Sequence, residues 1–178
     1  MRLIALNILL LFALQRKSSV ESADVFGITL QYERPDKVTW HTFQRLHDDS
    51  LGVGTVSFRS LPVVDRSGRA YEPVVAIIYE KLADSISVLK YAEMKQASSR
   101  TKWTVLRSYG PDAKGYQNAT FCDGEYETGG EQHAIIVGYL VYGTLGVQVI
   151  GDCPASVFAD VEADMRRCVQ SIRFLERK

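Results

Sequence analysis

The stretch "GVQVIGDCPASVFADVEADMRRCVQSIRF", residues 146–174, decides the fold because its hydrophobic period changes partway along. Before Gly151 the apolar residues follow the two-residue alternation of a strand. From Phe158 onward, Phe158, Val161, Met165, Cys168 and Ile172 recur at steps of three and four, the stripe of an amphipathic helix. Ser156 is placed to cap that helix, and Asp160 and Glu162 lie near the positive end of its dipole. Arg166, Arg167 and Arg173 lie towards the negative end. On this reading Gly151 and Asp152 finish the strand, Pro154 stops it, and Cys153 sits at the joint. A glycine, an acid, a thiol and a proline at a strand end also raise a chemical alternative, a nucleophile turn.

Reading back from the joint, "HAIIVGYLVY" (133–142) is the preceding strand, closed onto the last one by "GTLG". "TGGEQ" closes another turn onto "YQNATFCDGEYE" (116–127), and "KWTVLRSY" (102–109) precedes that. Such short glycine turns favour antiparallel neighbours, because a parallel pair needs a crossover of about a dozen residues. "ADSISVLKYAEMKQASS" (83–99) reads as a helix capped by Asp84 or Ser85, with Ile86, Leu89 and Ala92 on one face and Val88 and Tyr91 at its margin. "VVAIIYEKL" (74–82) is a continuous apolar run, as expected of a central strand covered on both faces. Before it come a polar, turn-rich connection (62–73), a strand "GVGTVSFRSL" (52–61), and "KVTWHTF" (37–43), a short strand or an irregular connection. "VFGITLQYERP" (25–35) alternates Phe26, Ile28, Leu30 and Tyr32 as one half-buried strand ended by Pro35.

The 178 residues suit a single domain spanning 24–178, and 46% hydrophobic with 24% charged residues is ordinary globular composition. Lysine plus arginine and aspartate plus glutamate both number 21, a balance that argues against a nucleic-acid partner. Residues 1–23 stand apart. Arg2 precedes an apolar run from Leu3 to Leu14, the size of a signal-peptide core and shorter than the ~20 residues of a membrane span. A cleavage site is poorly written: Val20 and Ser22 can serve at its small positions, but Gln15, Arg16 and Lys17 are awkward there. A cleaved signal, an uncleaved anchor and a misassigned start are the open readings, the first being favoured. It makes the protein secreted or periplasmic; without a signal it is cytoplasmic, and membrane contact is expected only through this segment if uncleaved. No cysteine follows the run to carry a lipid anchor.

Cys122, Cys153 and Cys168 are odd in number, so cysteine usage does not give the compartment. Asn118-Ala119-Thr120 is a glycosylation sequon, meaningful only on a eukaryotic secretory route. A reactive Cys153 needs a neighbouring base, and the histidines are His41, His47 and His133. His133 is expected at the opposite end of its strand from the row facing Gly151, which at ~3.3 Å per residue is beyond hydrogen-bond reach. No intrachain disulfide is expected: Cys122 and Cys153 fall on strands separated by a third, and most of a helix separates Cys153 from Cys168. Cys168 reads as a buried small hydrophobe.

"HDDS" (47–50) has one imidazole and two carboxylates, but a metal needs three or four converging ligands, so a solvated loop is expected. "GVGTVS" lacks the third glycine and the following helix of a nucleotide loop. There is no Gly-x-Ser-x-Gly elbow, Walker lysine or His-Glu-x-x-His. The acids of "DGEYE" alternate on an exposed strand face, while Trp40, Trp103 and the tyrosines are expected in the core or in cross-strand pairs. No catalytic, cofactor-binding or metal residue is assigned, and no cofactor is expected.

An opening "FGITLQYERP" strand, a central strand and a helix lead into the meander "WTVL…YQNATFCDGEYE…HAIIVGYLVY…GVQVIGDCP", and a closing helix ends in "VQSIRF". This order resembles the PsbP-like fold family, that of the PsbP extrinsic subunit of photosystem II and the Ran-binding Mog proteins. The resemblance spans about residues 25–175 and carries no functional residue across. It implies an α+β domain: an antiparallel sheet of about six strands with helices on its two faces, an α/β/α sandwich. It also implies a non-catalytic accessory or protein-binding role with a protein partner. The alternative is a small-ligand-binding or hydrolytic domain with its pocket between sheet and helix.

Overall fold

The structure, a computed structural model, describes residues 19–36, 38–99, 119–175 and, for the backbone alone, 103–109. The apolar run Leu3–Leu14 and Asn118 of the sequon lie outside the described residues.

The chain opens with β1 (Ser19–Val25) and β2 (Ile28–Arg34), continues through β3 (Trp40–Asp48), β4 (Val53–Ser60), β5 (Val63–Val64) and β6 (Ala70–Tyr71), and reaches β7 (Val74–Lys81). Helix α1 (Val88–Ser98) follows, then β8 (Trp103–Tyr109), β9 (Ala119–Thr128), β10 (Glu131–Tyr142) and β11 (Leu145–Pro154). A short 3-10 turn leads into α2 (Phe158–Ser171), and β12 (Arg173–Leu175) ends the described chain. The fold is α+β. Its main sheet has seven strands in the order β3-β4-β7-β11-β10-β9-β8, all antiparallel, and β1-β2-β12 form a second sheet of three.

The meander stands as the glycine turns require. Gly129 and Gly130 both take positive φ (59° and 79°), which lets a two-residue loop follow the twist of β9 and β10. The expected single strand over residues 25–35 is instead two strands, with Phe26 and Gly27 at positive φ (51° and 81°) turning the chain between them. This hairpin leaves the main sheet, because Leu30 and Tyr32 pack in the core with α2 while Leu30 pairs with Phe174 of β12. The polar connection holds a small hairpin of its own, β5 with β6.

Apolar residues divide into two clusters that meet along β10. Ile136 and Leu140 join Val161, Met165, Cys168, Val169 and Ile172 of α2. Ile135, Val137, Tyr139 and Val141 join Tyr91 and Ala92 of α1. The α2 stripe is thus as expected save that Phe158 is half-buried and Val169 takes a place in the core. Each such burial contributes on the order of 1.5–3 kcal/mol before entropy is counted, so the helix is held by its stripe. Its start differs from expectation. Ser156 lies in the 3-10 turn and makes no cap bond to the helix, and its hydroxyl supports Asp65 of the β5–β6 hairpin instead.

Helix α1 is capped by neither Asp84 nor Ser85 but by Ser87, whose side chain accepts from the Lys90 N–H. The later start turns Leu89 out to solvent (64% exposed) and Tyr91 inward, where its hydroxyl donates to Glu80 at 2.7 Å. β7 also departs from expectation. It is central, between β4 and β11, yet only Val75, Ile77 and Tyr79 are buried. Val74, Ala76 and Ile78 on its other face are half-buried, because α1 packs over β9 and β10 and stops short of them.

Candidate functional site

The half-covered face of β7 and β11 ends at a polar group that the sequence reading separated. Counting outward from Gly143 and Thr144, the β10–β11 register sets His133 opposite Pro154, Ala134 opposite Cys153 and Ile136 opposite Gly151. His133 therefore lies at the same end of the hairpin as "GDCP". The expectation that it lay at the far end is corrected, since a hairpin always brings the first residues of one strand to the last of the next.

Tyr126 of β9 is directly opposite His133, and Asp152 lies diagonally across on β11. Alternation puts the three side chains on one face. His133 Nδ1 is 2.8 Å from Asp152 Oδ1, and the Tyr126 hydroxyl donates to Asp152 Oδ2. A carboxylate only accepts, so Nδ1 carries a proton and donates it to Asp152. Burial, with the hydrogen bond to Asp152 after it, pushes the Tyr126 pKa up and keeps the phenol a donor. His133 Nε2 faces Glu131 at 4.0 Å, and Glu131 in turn accepts from Tyr71 and pairs with Arg69 at 3.3 Å. The network ties the β5–β6 hairpin to the start of β10.

Beside it opens a shallow cleft of about 350 Å³, lined by Val74, Ala76, Ile150, His133, Asp152 and Glu72 among others. Of the lining residues, Glu72 pairs with Arg59 at 3.1 Å, and the Arg59 guanidinium stacks over Phe43 at 3.7 Å.

Cys153 takes no part in this group. Its side chain packs in the α2 cluster, on the face opposite Asp152, and burial with the nearby Asp152 charge pushes its thiol up to about 12. A buried protonated thiol turned away from the imidazole is not an activated nucleophile. Gly151 has the structural part: a Cβ there would meet Met165 Cε at 2.8 Å and Met165 Cβ at 3.1 Å, so the missing side chain lets α2 sit down on β11. The three cysteines are buried, and none is in a disulfide among the described residues.

The other candidates disperse. His41 is exposed on the edge strand β3. His47 meets the Tyr79 hydroxyl at 3.3 Å and Asp49 at 3.1 Å. In "HDDS", Asp48 Oδ1 accepts from the N–H groups of Ser50 and Leu51 and from the Ser50 hydroxyl, which makes it the organiser of the β3–β4 turn. Among the described residues no cluster of three or more His, Cys, Asp or Glu has the spacing to hold a metal. Gly54 of "GVGTVS" lies under the Tyr79 ring, where a Cβ would come within 2.3 Å. Trp40 is buried in the core, and the Trp103 side chain lies outside what is described. On α2, Arg166 grips Asp123 of "DGEYE" through two bonds of 3.1 and 3.0 Å and Glu162 at 2.8 Å, beside a second cleft of about 410 Å³.

No protein-family model matches the chain, and no curated protein matches it in sequence. Among solved structures it is similar to the crystal structure of LpqN, involved in cell envelope biogenesis of Mycobacterium tuberculosis. The TM-score is 0.60 at 12% identity, and the match covers 91% of this chain and 94% of that one. At that identity the likeness is one of fold.

Proposed function

We propose that the chain is a non-catalytic accessory domain of the cell envelope that works outside the cytoplasm by binding another protein. The observation that carries this is the fold likeness to LpqN over nearly the whole of both chains. The N-terminal apolar run, read as an export signal, supports the same compartment. We also infer the finer architecture, a PsbP-like sandwich with α1 and α2 on opposite faces of the main sheet. Adjacent residues of β10 support it: Gly138 meets Val169 of α2, while Tyr139 lies edge-on to Tyr91 of α1, with ring centroids 6.2 Å apart. The non-catalytic part is supported by the buried Cys153 thiol and by a His133–Asp152 pair that faces no serine or thiol nucleophile among the described residues.

Fractionation and in-cell cross-linking test the proposal together. In cells that make it, the protein is expected in the extracytoplasmic fraction, joined by cross-linker to a discrete protein partner. Recovery in the cytosol, or no cross-linked species together with turnover of a small ester by the pure protein, overturns it. The second reading, a small-ligand-binding or hydrolytic domain, is favoured by one observation, the cleft beside His133 and Asp152.

A further inference from the structure

The cleft has an apolar floor and an unbalanced wall. Ser57, Ala76 and Ile150 form one cross-strand row over β4, β7 and β11. The row lies on the face that carries Asp152. Ser57 is 6% exposed, and its hydroxyl is buried with no hydrogen-bond partner among the described residues. Buried hydroxyls in folded proteins are nearly always paired, so this one is an unspent polar group next to Ala76 of the floor.

The carboxylates around the cleft are not equivalent. Glu72 is matched by Arg59 and Glu131 by Arg69. Asp152 is held by a tyrosine hydroxyl and an imidazole, with no lysine or arginine on it among the described residues. Its side chain is 29% exposed, and each oxygen, having accepted one hydrogen bond, keeps a lone pair. An anion is repelled here by Asp152. An apolar molecule fills the floor but leaves the carboxylate unanswered. A group that answers both has methylenes at one end and a positive nitrogen at the other, as a lysine side chain does.

We propose that this cleft takes an organic ammonium on a short apolar stem, the stem across Ala76 and Ile150 and the nitrogen on Asp152. The inference rests on the protein-binding reading and deepens it: the natural occupant is a lysine side chain of the partner, and a free alkylamine shares the chemistry.

Titration of the full-length chain with n-butylammonium, n-butanol and butyrate at constant ionic strength, followed by amide chemical shifts, tests it. Butylammonium is expected to give saturable shifts at Ala76, His133, Ile150 and Asp152, with n-butanol and butyrate at least tenfold weaker. Asp152→Asn is expected to weaken butylammonium at least tenfold. Ala76→Leu fills the floor while leaving the bonds of Asp152 in place; it is expected to do the same, and it decides the matter if Asp152→Asn fails to fold. Equal binding of n-butanol, no saturable response to butylammonium, or variants that bind as wild type each overturn the site. An acetylated Gly-Lys-Gly amide that binds at least as well as butylammonium supports a partner's lysine; binding tenfold weaker overturns it. A partner cross-linked equally by wild type and Ala76→Leu overturns the site and leaves the protein-binding reading standing. Butylammonium bound at the cleft with no partner captured overturns that reading instead.

Discussion

Cys153 and Asp152 are neighbours in sequence, and the pleat of β11 sends them to opposite faces of the sheet. The thiol is therefore expected to be inert in the native protein. Ellman's reagent should find no rapidly reacting cysteine in buffer and all three in guanidinium, and a fast native reaction abolished by Cys153→Ala would contradict the geometry. Gly151, next along, has a testable role in packing. Gly151→Ala puts a methyl against Met165 and is expected to cost about 1–3 kcal/mol in urea unfolding; an unchanged midpoint would show that α2 can lift without loss. The joint itself was legible in the sequence, as a change of period with punctuation. The company of Asp152 was equally available, since counting outward from the two-residue loop at Gly143 pairs residue 133 with 154. Tyr126 was hidden in a different way: a tyrosine on a strand reads as a core residue or a cross-strand partner, and nothing local says that its hydroxyl reaches Asp152 two strands away.

At the scale of the element, α1 shows where local signals stop deciding. Asp84, Ser85 and Ser87 are all good caps by residue type, and the choice falls to the one that turns Tyr91 under the sheet and onto Glu80. Ser87→Ala is expected to cost about 1 kcal/mol and Ser85→Ala close to nothing, read from thermal or urea midpoints. Equal losses would return the cap to the earlier serine. β1 carries a sharper consequence. Glu21 within it bonds Tyr32 at 3.3 Å, Arg34 at 3.3 Å and Arg45 at 3.0 Å, and Ser19–Ser22 pair with residues 31–34. A chain starting at Ser19 is expected to be as stable as the domain allows. One starting at Ala23, where a cut after Val20-x-Ser22 would leave it, should lose about 2 kcal/mol or more. Matching denaturation curves for the two would show β1 to be dispensable. The opening strand was misread because its second half pairs with β12, over 140 residues away, and no local period reports such a partner.

For the molecule as a whole, several buried hydroxyls and thiols share one direction of shift, and together they set a response to alkali. Burial, with the Glu21 charge after it, raises Tyr32 to about 12, and burial raises Cys153 to about 12. Tyr91 and Tyr126 move the same way for the same leading cause. A group whose folded pKa is raised binds its proton more tightly in the native state. Its contribution is whole below the unfolded value and lost as pH climbs through the folded one. Thiols begin this near pH 9 and tyrosines near pH 10. Unfolding midpoints are therefore expected to fall from about pH 9 upward, and Cys153→Ala should soften the first part of that fall. A midpoint that held flat to pH 11 would contradict the burial of these groups.

The small sheet that joins the two ends of the described chain also sets a clock. The Glu33 N–H is satisfied by the Ser171 hydroxyl at 2.7 Å, 138 residues later, and β2 gains its second neighbour only when β12 exists. At ribosomal speeds that interval lasts on the order of ten seconds. During it β2 of the opening hairpin has an open edge, so the newborn chain stays pliable until residues 171–175 emerge.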